Sequence, residues 1–308
     1  LSAGEGGVVA LVGARGLGKS FLLRALEGSE AGAIFLDAAS LTEPLHALSA
    51  RLGLPRDPRG RALVDVPRLV LIDDAQQLVR PVIGGLRRFD ELIALARASS
   101  SGTLWVFAID AVLWPLLARG REVRPLFDQI HMLEPWTDRQ IGALLAERSA
   151  HAGIAPTFED LLEQPPASED ELDREDALSA TRESYVLMLW DYVAGNPGLA
   201  LEAWRSSLVE DEHGVVRARP LHVAPANELD VLPDSTLFVL RAILQLAPAS
   251  PRDVAEATRL SQEQVLNVFR FGQMQGYLAD RAGRVEVSWR WLRSVTRLLE
   301  RRHLLVNH

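Results

Sequence analysis

Eight residues, GARGLGKS at 13–20, carry the sharpest chemical signal in this chain of 308 residues. Gly13, Gly18, Lys19 and Ser20 stand in the spacing G-x-x-x-x-G-K-S, which reads as a phosphate-binding loop where it joins a strand to a helix. The glycines, Gly16 included, let the backbone turn so that its N–H groups point inward at a phosphate. The N-terminus of the following helix adds positive partial charge. Lys19 is the only lysine among 33 basic residues, so arginine serves at every other cationic position. A compact, mobile ammonium suits the β/γ-phosphates where a planar guanidinium does not. The Ser20 hydroxyl suits Mg²⁺. Candidate nucleotide contacts are therefore Gly13, Ala14, Arg15, Gly16, Leu17, Gly18, Lys19, Ser20 and Phe21. A chance glycine-rich turn is the bland alternative, and the full-length match around the sole lysine weighs against it.

A magnesium nucleotide also needs a carboxylate at the end of another strand. RLVLIDDAQQL (68–78) supplies two. Leu69–Ile72 reads as a buried strand, and Asp73 and Asp74 follow at its C-terminal end, the edge at which open α/β sheets bind ligands. Asp73 is the candidate Mg²⁺ carboxylate, by way of water. Asp74 is the candidate to orient or deprotonate an attacking water. An Asp-Asp pair after a strand can also be a plain helix N-cap.

These residues need a sheet to position them. GVVALVG (7–13) is a short apolar run of the kind found in buried parallel strands, and the FLLRALEG after the loop has helical spacing. AIFLD (33–37) and TLWVFAID (103–110) read as two more strands, with helical patterns at 41–54 and 84–100 between them. Alternation of this kind implies a mostly parallel sheet with helices on both faces.

Composition narrows the chemistry further. Hydrophobic content of 48% and charged content of 24% are ordinary for a globular chain. There is no cysteine, so disulfides and thiolate metal sites are out, and the seven histidines lack metal-binding spacing. No apolar run reaches the length of a membrane span, and Asp110 interrupts the longest candidate. Without an initial Met or a signal-peptide pattern, the chain reads as a fragment of a longer, cytoplasmic protein. The net charge of −8 is uneven: residues 235–308 hold 11 Arg against 6 acidic residues, +5, which leaves −13 for the rest. Much of that acidity lies at 159–176, EDLLEQPPASEDELDRED, which reads as a solvated, mobile loop breaking the lid between two helices.

The phosphate loop, the strand ending in Asp-Asp and the spacing of the next strand together resemble the AAA+/STAND group of P-loop ATPases. The resemblance implies an α/β P-loop NTPase core with a mostly parallel sheet, a helical lid and a winged-helix domain. It also implies ATP/ADP and Mg²⁺ as cofactors. LEPWTDRQIGALLAERSAHAGI (133–154) resembles the entry into the lid, a last short strand and then a helix, with Thr137 and Gln140 spaced as a capping box. Gly195-Asn196-Pro197 resembles the G-x-P element of STAND proteins, whose proline lies against the nucleotide base. Asn196 as N-cap and Pro197 at the first helical position explain the same residues locally. Several positions depart from the family pattern. Gly198 stands near the lid's usual sensing arginine, with Arg205 the nearest substitute. Asp110 replaces the Asn, Thr or Arg of a phosphate sensor. Asp74 replaces a Glu. Arg121 and Arg124 lie close to an arginine-finger slot that holds Leu126. The departures imply slow turnover, a switch in preference to a motor.

The expected divisions are a core at 1–135, a lid at 136–209, a linker at 210–234 with a hairpin turning at His213-Gly214, and a winged helix at 235–308. In the last, Ser250-Pro251 and Ser261/Gln264 open helices, an Ala282-Gly283 turn joins two strands, and Arg290–Leu305 is a final helix. Arg281 and Arg284 at the wing tip, with Arg270, are candidates for duplex DNA. The leading reading is instead a regulatory switch in which the winged helix packs on the nucleotide core. It would have a protein partner or its own effector domain as target, and a nucleotide-dependent homo-oligomer if an arginine finger operates. A DNA-handling AAA+ ATPase of the initiator or transposition-regulator type is the alternative.

Overall fold

The computed structural model describes residues 6–41, 45–53, 69–80, 82, 84–118, 126–162 and 171–305. Arg121 and Arg124 lie outside the described residues, as does much of the acidic stretch, 163–170.

The chain opens with β1 (Gly7–Gly13), α1 (Lys19–Ser29), β2 (Ile34–Asp37), α2 (Leu45–Arg51), β3 (Leu69–Asp73), α3 (Arg87–Ser99), β4 (Leu104–Asp110), α4 (Trp114–Ala118) and β5 (Gln129–Met132). Five strands form one sheet in the order β2-β3-β4-β1-β5, and every pairing in it is parallel. This is the parallel sheet that the alternating pattern leads one to expect, in the P-loop NTPase type of core that the resemblance implies. All seven residues of β1 are buried, because the strand is central and covered on both faces.

Alternate side chains of the strands feed two cores. Val8, Ala10, Val12, Val70, Ile72, Trp105, Phe107 and Ile109 face one side, under Leu48 of α2, Phe89 and Leu92 of α3, and Leu113 and Leu117. Phe107 sits between the rings of Phe89 and Phe127, at centroid distances of 6.4 and 5.9 Å. Val9, Leu11, Leu71, Val106 and Ala108 face the other side, under Leu23 of α1. Each such buried aliphatic side chain contributes about 1.5–3 kcal/mol. The period of two along each strand therefore builds a three-layer α/β/α core.

The helices after β1 and β4 cover opposite faces, since α1 belongs to one core and α4 to the other. The crossover from β1 leads toward β2 and that from β4 leads to β5 on the far side of β1. Connections that part in this way leave a crevice beyond the carboxyl ends of the two strands, the usual ligand position in such sheets.

Contacts divide the chain into two compact units: residues 1–133 with 229–288 and 295–308, and residues 134–228 with 289–294. The second unit holds α5 (Asp138–His151), α6 (Glu171–Val193), α7 (Pro197–Ser207), β6 (Leu208–Glu210) and β7 (Val216–Ala218). Its core stacks Phe158 on Trp204 at 6.0 Å, with the Tyr185 ring edge-on at 5.6 Å. The Thr137/Gln140 capping box at α5 is formed. The last short strand lies a few residues earlier than the sequence suggests, at β5. The acidic stretch also departs from the expected loop. Its last six residues belong to α6, where Glu, Leu and Arg are strong helix formers and Arg174 pairs with Glu159. The 210–234 segment is more ordered than a linker. Asp211 accepts from the His213 and Val215 amides and from Arg217 Nε, and so closes the β6–β7 hairpin.

A short helix, α8 (Asn227–Asp230), precedes the C-terminal module: α9 (Asp234–Leu246), α10 (Pro251–Thr258), α11 (Gln262–Met274), β8 (Leu278–Arg281), β9 (Arg284–Val287) and α12 (Trp289–Arg301). Three helices, a hairpin and a closing helix are the elements of a winged helix. Ser250 with Asp253 and Ser261 with Gln264 form capping boxes. Ala282 and Gly283 take positive φ in the hairpin turn, as a two-residue turn between twisted strands requires. Among the described residues, no helix is long and apolar enough to cross a membrane.

Candidate functional site

The carboxyl ends of β1, β3 and β4 bring the loop and the acidic residues together. Gly13 pairs with Asp110 in the β1–β4 register, and the Ala111 amide donates to the Gly13 carbonyl at 3.1 Å. The loop then turns through Gly16 and Gly18, both at φ +93°. A left-handed residue directly before the first helical position leaves α1 with no side-chain cap. Among the described residues, the amides of Gly16, Gly18, Lys19 and Ser20 donate to no protein acceptor. Four unmet donors at the mouth of a helix form a nest for an anion.

Lys19 is 6% exposed and curls over the loop, donating to the carbonyls of Gly13 at 2.7 Å and Ala14 at 3.1 Å. Its Nζ also lies 4.0 Å from Asp110 Oδ2. Asp110 is held on its other oxygen, since Oδ1 accepts from the Val112 amide at 2.9 Å. Burial pushes the Asp110 carboxyl above the usual range, and the Lys19 charge opposes that shift.

Asp73 and Asp74 differ in setting. Asp73 is buried, its Oδ1 accepts from the Asp74 amide at 3.0 Å, and the Ser20 hydroxyl near its carboxylate favours the ionised form. Burial raises its pKa, the Asp74 charge adds to the rise, and the bonds from Ser20 and the Asp74 amide oppose it. The structure thus places the two candidate magnesium groups, Ser20 and Asp73, side by side. Asp74 sits in the left-handed region at φ +48°, rare for a non-glycine residue and typical of strained functional positions. It starts a 3-10 turn over Ala75–Leu78 with its carboxylate turned away from capping.

Gln76 is the site residue that sequence reasoning missed. It is buried, donates from Nε2 to Asp74 Oδ1 at 2.8 Å and accepts from the Asp110 amide at 3.2 Å. It ties the second acid to the end of β4. The only sequence signal was a polar residue inside a run that otherwise reads as a packed turn.

Of the remaining candidates, Leu17 is buried under the loop and Phe21 is 72% exposed on α1. Arg15 is committed to the C-terminal module: Nη1 donates to the Val287 carbonyl at 3.0 Å and Nη2 pairs with Glu286 at 2.8 Å. Pro197 lies in the second unit. There it opens α7 behind Asn196, whose side chain accepts from the Leu199 amide at 3.0 Å. Arg205 pairs with Glu202 on the same helix.

The donor set fits a magnesium nucleotide. Unmet amides and a buried ammonium suit the phosphates, and a hydroxyl beside a carboxylate suits a hard cation. Among the described residues there is no group of three or more His, Cys, Asp or Glu that could hold a metal unaided. A cation here would complete its shell with phosphate and water oxygens.

No family model and no curated protein matches the chain. Similar solved structures exist at low identity. A variant of RuvB from Thermotoga maritima is 15% identical, over 95% of this chain and 87% of that chain, with a TM-score of 0.35. Orc1 of Aeropyrum pernix, solved in complex with DNA, is 18% identical, over 96% of this chain and 87% of that chain, with a TM-score of 0.37. A chain of Drosophila ORC, solved bound to DNA, is 15% identical, over 97% of this chain and 91% of that chain, with a TM-score of 0.40.

Proposed function

We propose that this chain is an ATP- and Mg²⁺-binding switch of the AAA+/STAND kind, whose nucleotide state sets the hold of the core on its C-terminal winged helix. One observation carries the proposal: Arg15, inside the phosphate loop, bonds β9 through Glu286 and Val287. A second grip lies just past the acidic pair. Gln77 donates to the carbonyls of Leu246 and Ala247, and Arg80 pairs with Asp253 at 3.5 Å. Both loops that would meet a nucleotide are therefore the loops that hold the module. A ligand that reshapes the phosphate loop changes the Arg15 contact directly, which is the differential interaction a switch requires.

In this reading the amides of Gly16, Gly18, Lys19 and Ser20 and the Lys19 ammonium bind phosphate. Ser20 and Asp73 hold Mg²⁺, which supplies charge neutralisation to the phosphates when bound. Asp74 orients water for hydrolysis, and its short side chain, bonded to Gln76, makes turnover slow. The target is a protein partner or the chain's own effector domain, and the protein acts in the cytoplasm.

Hydrogen exchange at the β8–β9 hairpin tests the switch. ATP-Mg²⁺ should raise exchange there in the wild type and leave it unchanged in Lys19→Ala. Tight ATP binding with no change at the hairpin would overturn the proposal. Duplex DNA is the second reading, favoured by the +5 charge of residues 235–308 and by Arg281, whose side chain is 70% exposed. Arg284 weighs against it, since it is turned onto the Pro248 carbonyl and Asp253. Salt-sensitive, ATP-dependent binding of a 30-mer duplex by anisotropy would establish that reading.

A further inference from the structure

We infer that Asp110 makes this site select nucleoside diphosphates over triphosphates. The inference rests on the nucleotide reading of the phosphate loop. It grows from the placement of a carboxylate against the lysine that should serve the terminal phosphate. Asp110 Oδ2 lies 4.0 Å from Lys19 Nζ, and both side chains are largely buried, at 14% and 6% exposure. The carboxylate has little freedom to swing aside. Its other oxygen is fixed by the Val112 amide, its own amide is held by Gln76, and Ala111 is bonded to Gly13 at the root of the loop.

The loop amides and Asp110 act on different parts of a ligand. The unmet amides of Gly16, Gly18, Lys19 and Ser20 surround the start of α1 and favour any phosphate there. Asp110 stands at the end of β4, the strand next to β1, on the side toward Asp73 and Asp74. A longer phosphate chain reaching past Lys19 toward those acids brings new negative charge onto an ammonium that a fixed carboxylate already shares. In partly buried surroundings like charges a few ångströms apart repel strongly. The diphosphate keeps the favourable contacts and avoids much of that repulsion.

A competing account is that Asp110 only holds Lys19 in place. That account predicts that removing its charge weakens both nucleotides alike. The test is direct binding of fluorescent-labelled ADP and of a labelled non-hydrolysable ATP analogue, each with Mg²⁺, to wild type and Asp110→Asn. The wild type should bind the diphosphate about tenfold tighter, and Asp110→Asn should cut that ratio about tenfold, mainly by tightening the triphosphate. An unchanged ratio in a variant that binds both ligands overturns the inference. A wild type that binds the triphosphate tighter overturns it as well, with no variant needed if Asp110→Asn does not fold. A wild type that binds neither ligand removes the nucleotide reading itself, and the inference with it.

Discussion

Two turns in this molecule use the same device, a left-handed glycine just ahead of a helix, and treat it in opposite ways. Gly18 at φ +93° precedes α1, and Gly195 at φ +67° precedes the Asn196 cap of α7. Around Gly195 the chain meets its own needs. Asn196 caps, Pro197 removes a donor, the Gly195 carbonyl accepts from Trp136, and Trp190 bonds the Trp136 carbonyl. A Cβ on Gly195 would lie 2.3 Å from that same carbonyl, so no room remains. Around Gly18 there is no cap, the first amides are unmet, and a Cβ would meet nothing within 4 Å. The closed turn is architecture. The open one leaves its polar groups unmet, and in the proposed function they serve a ligand.

The largest test of that contrast is Lys19→Ala. It should weaken ADP-Mg²⁺ and ATP-Mg²⁺ about hundredfold or more by calorimetry, with the melting temperature little changed. Gly195→Ala comes next and should cost about 2–4 kcal/mol of stability in urea melts, from backbone strain and the clash with Trp136. Gly18→Ala should cost about 1–2 kcal/mol from its φ alone, yet reduce nucleotide affinity more than Gly195→Ala does. The reverse order in either readout would break the comparison. Asn196→Ala should cost about 1 kcal/mol through the lost cap, with affinity intact. A clear fall in affinity there would bring the Gly195–Pro197 turn into the binding site and blur the distinction.

The smallest effect is a pH slope. Burial raises the folded-state Asp110 pKa above its ordinary value of 3.8, with Lys19 opposing. The native state therefore keeps the proton longer than the unfolded chain. Stability falls as pH rises from 3.8 through the raised value, and the cost is complete above it. Asp110→Asn should flatten that part of the curve, seen as the difference between wild-type and variant melts across the window. A difference that does not vary with pH would contradict the buried-carboxylate account.

Most of the core was legible from residue order. The strand runs are short, apolar and flanked by Gly or Asp, and their period of two leaves little choice of structure. Capping boxes at Thr137 and Ser261 and the Ser250-Pro251 cap marked helix starts through local hydrogen bonding alone. The positions of the glycine-rich loop between β1 and α1 and of Asp73 at the end of β3 were legible because the motif constrains both residue type and spacing. What the sequence hid were long-range links. Gln76 bridges two strand ends, and Arg15 reaches a strand 272 positions away. Neither has a local pattern, because the partner is set by the sheet order and by packing of the C-terminal module. The helix across 171–176 was hidden for another reason. Net acidity suggested a solvated loop, whereas Glu171, Leu172, Arg174 and Glu175 are good helix formers.

The solitary lysine has an analytical consequence. Lys19 supplies the only side-chain amine in the molecule, and it is folded onto two carbonyls beside the candidate anion nest. An amine-acylating reagent can modify only one side chain of this sequence, that of Lys19, apart from the α-amine at a chain's N-terminus. A single mass increment on the peptide spanning residue 19 then reports the state of the nucleotide site, without labels, tags or substitutions. The rate at which that increment appears measures how often the ammonium leaves its cradle, and a bound phosphate should slow it further.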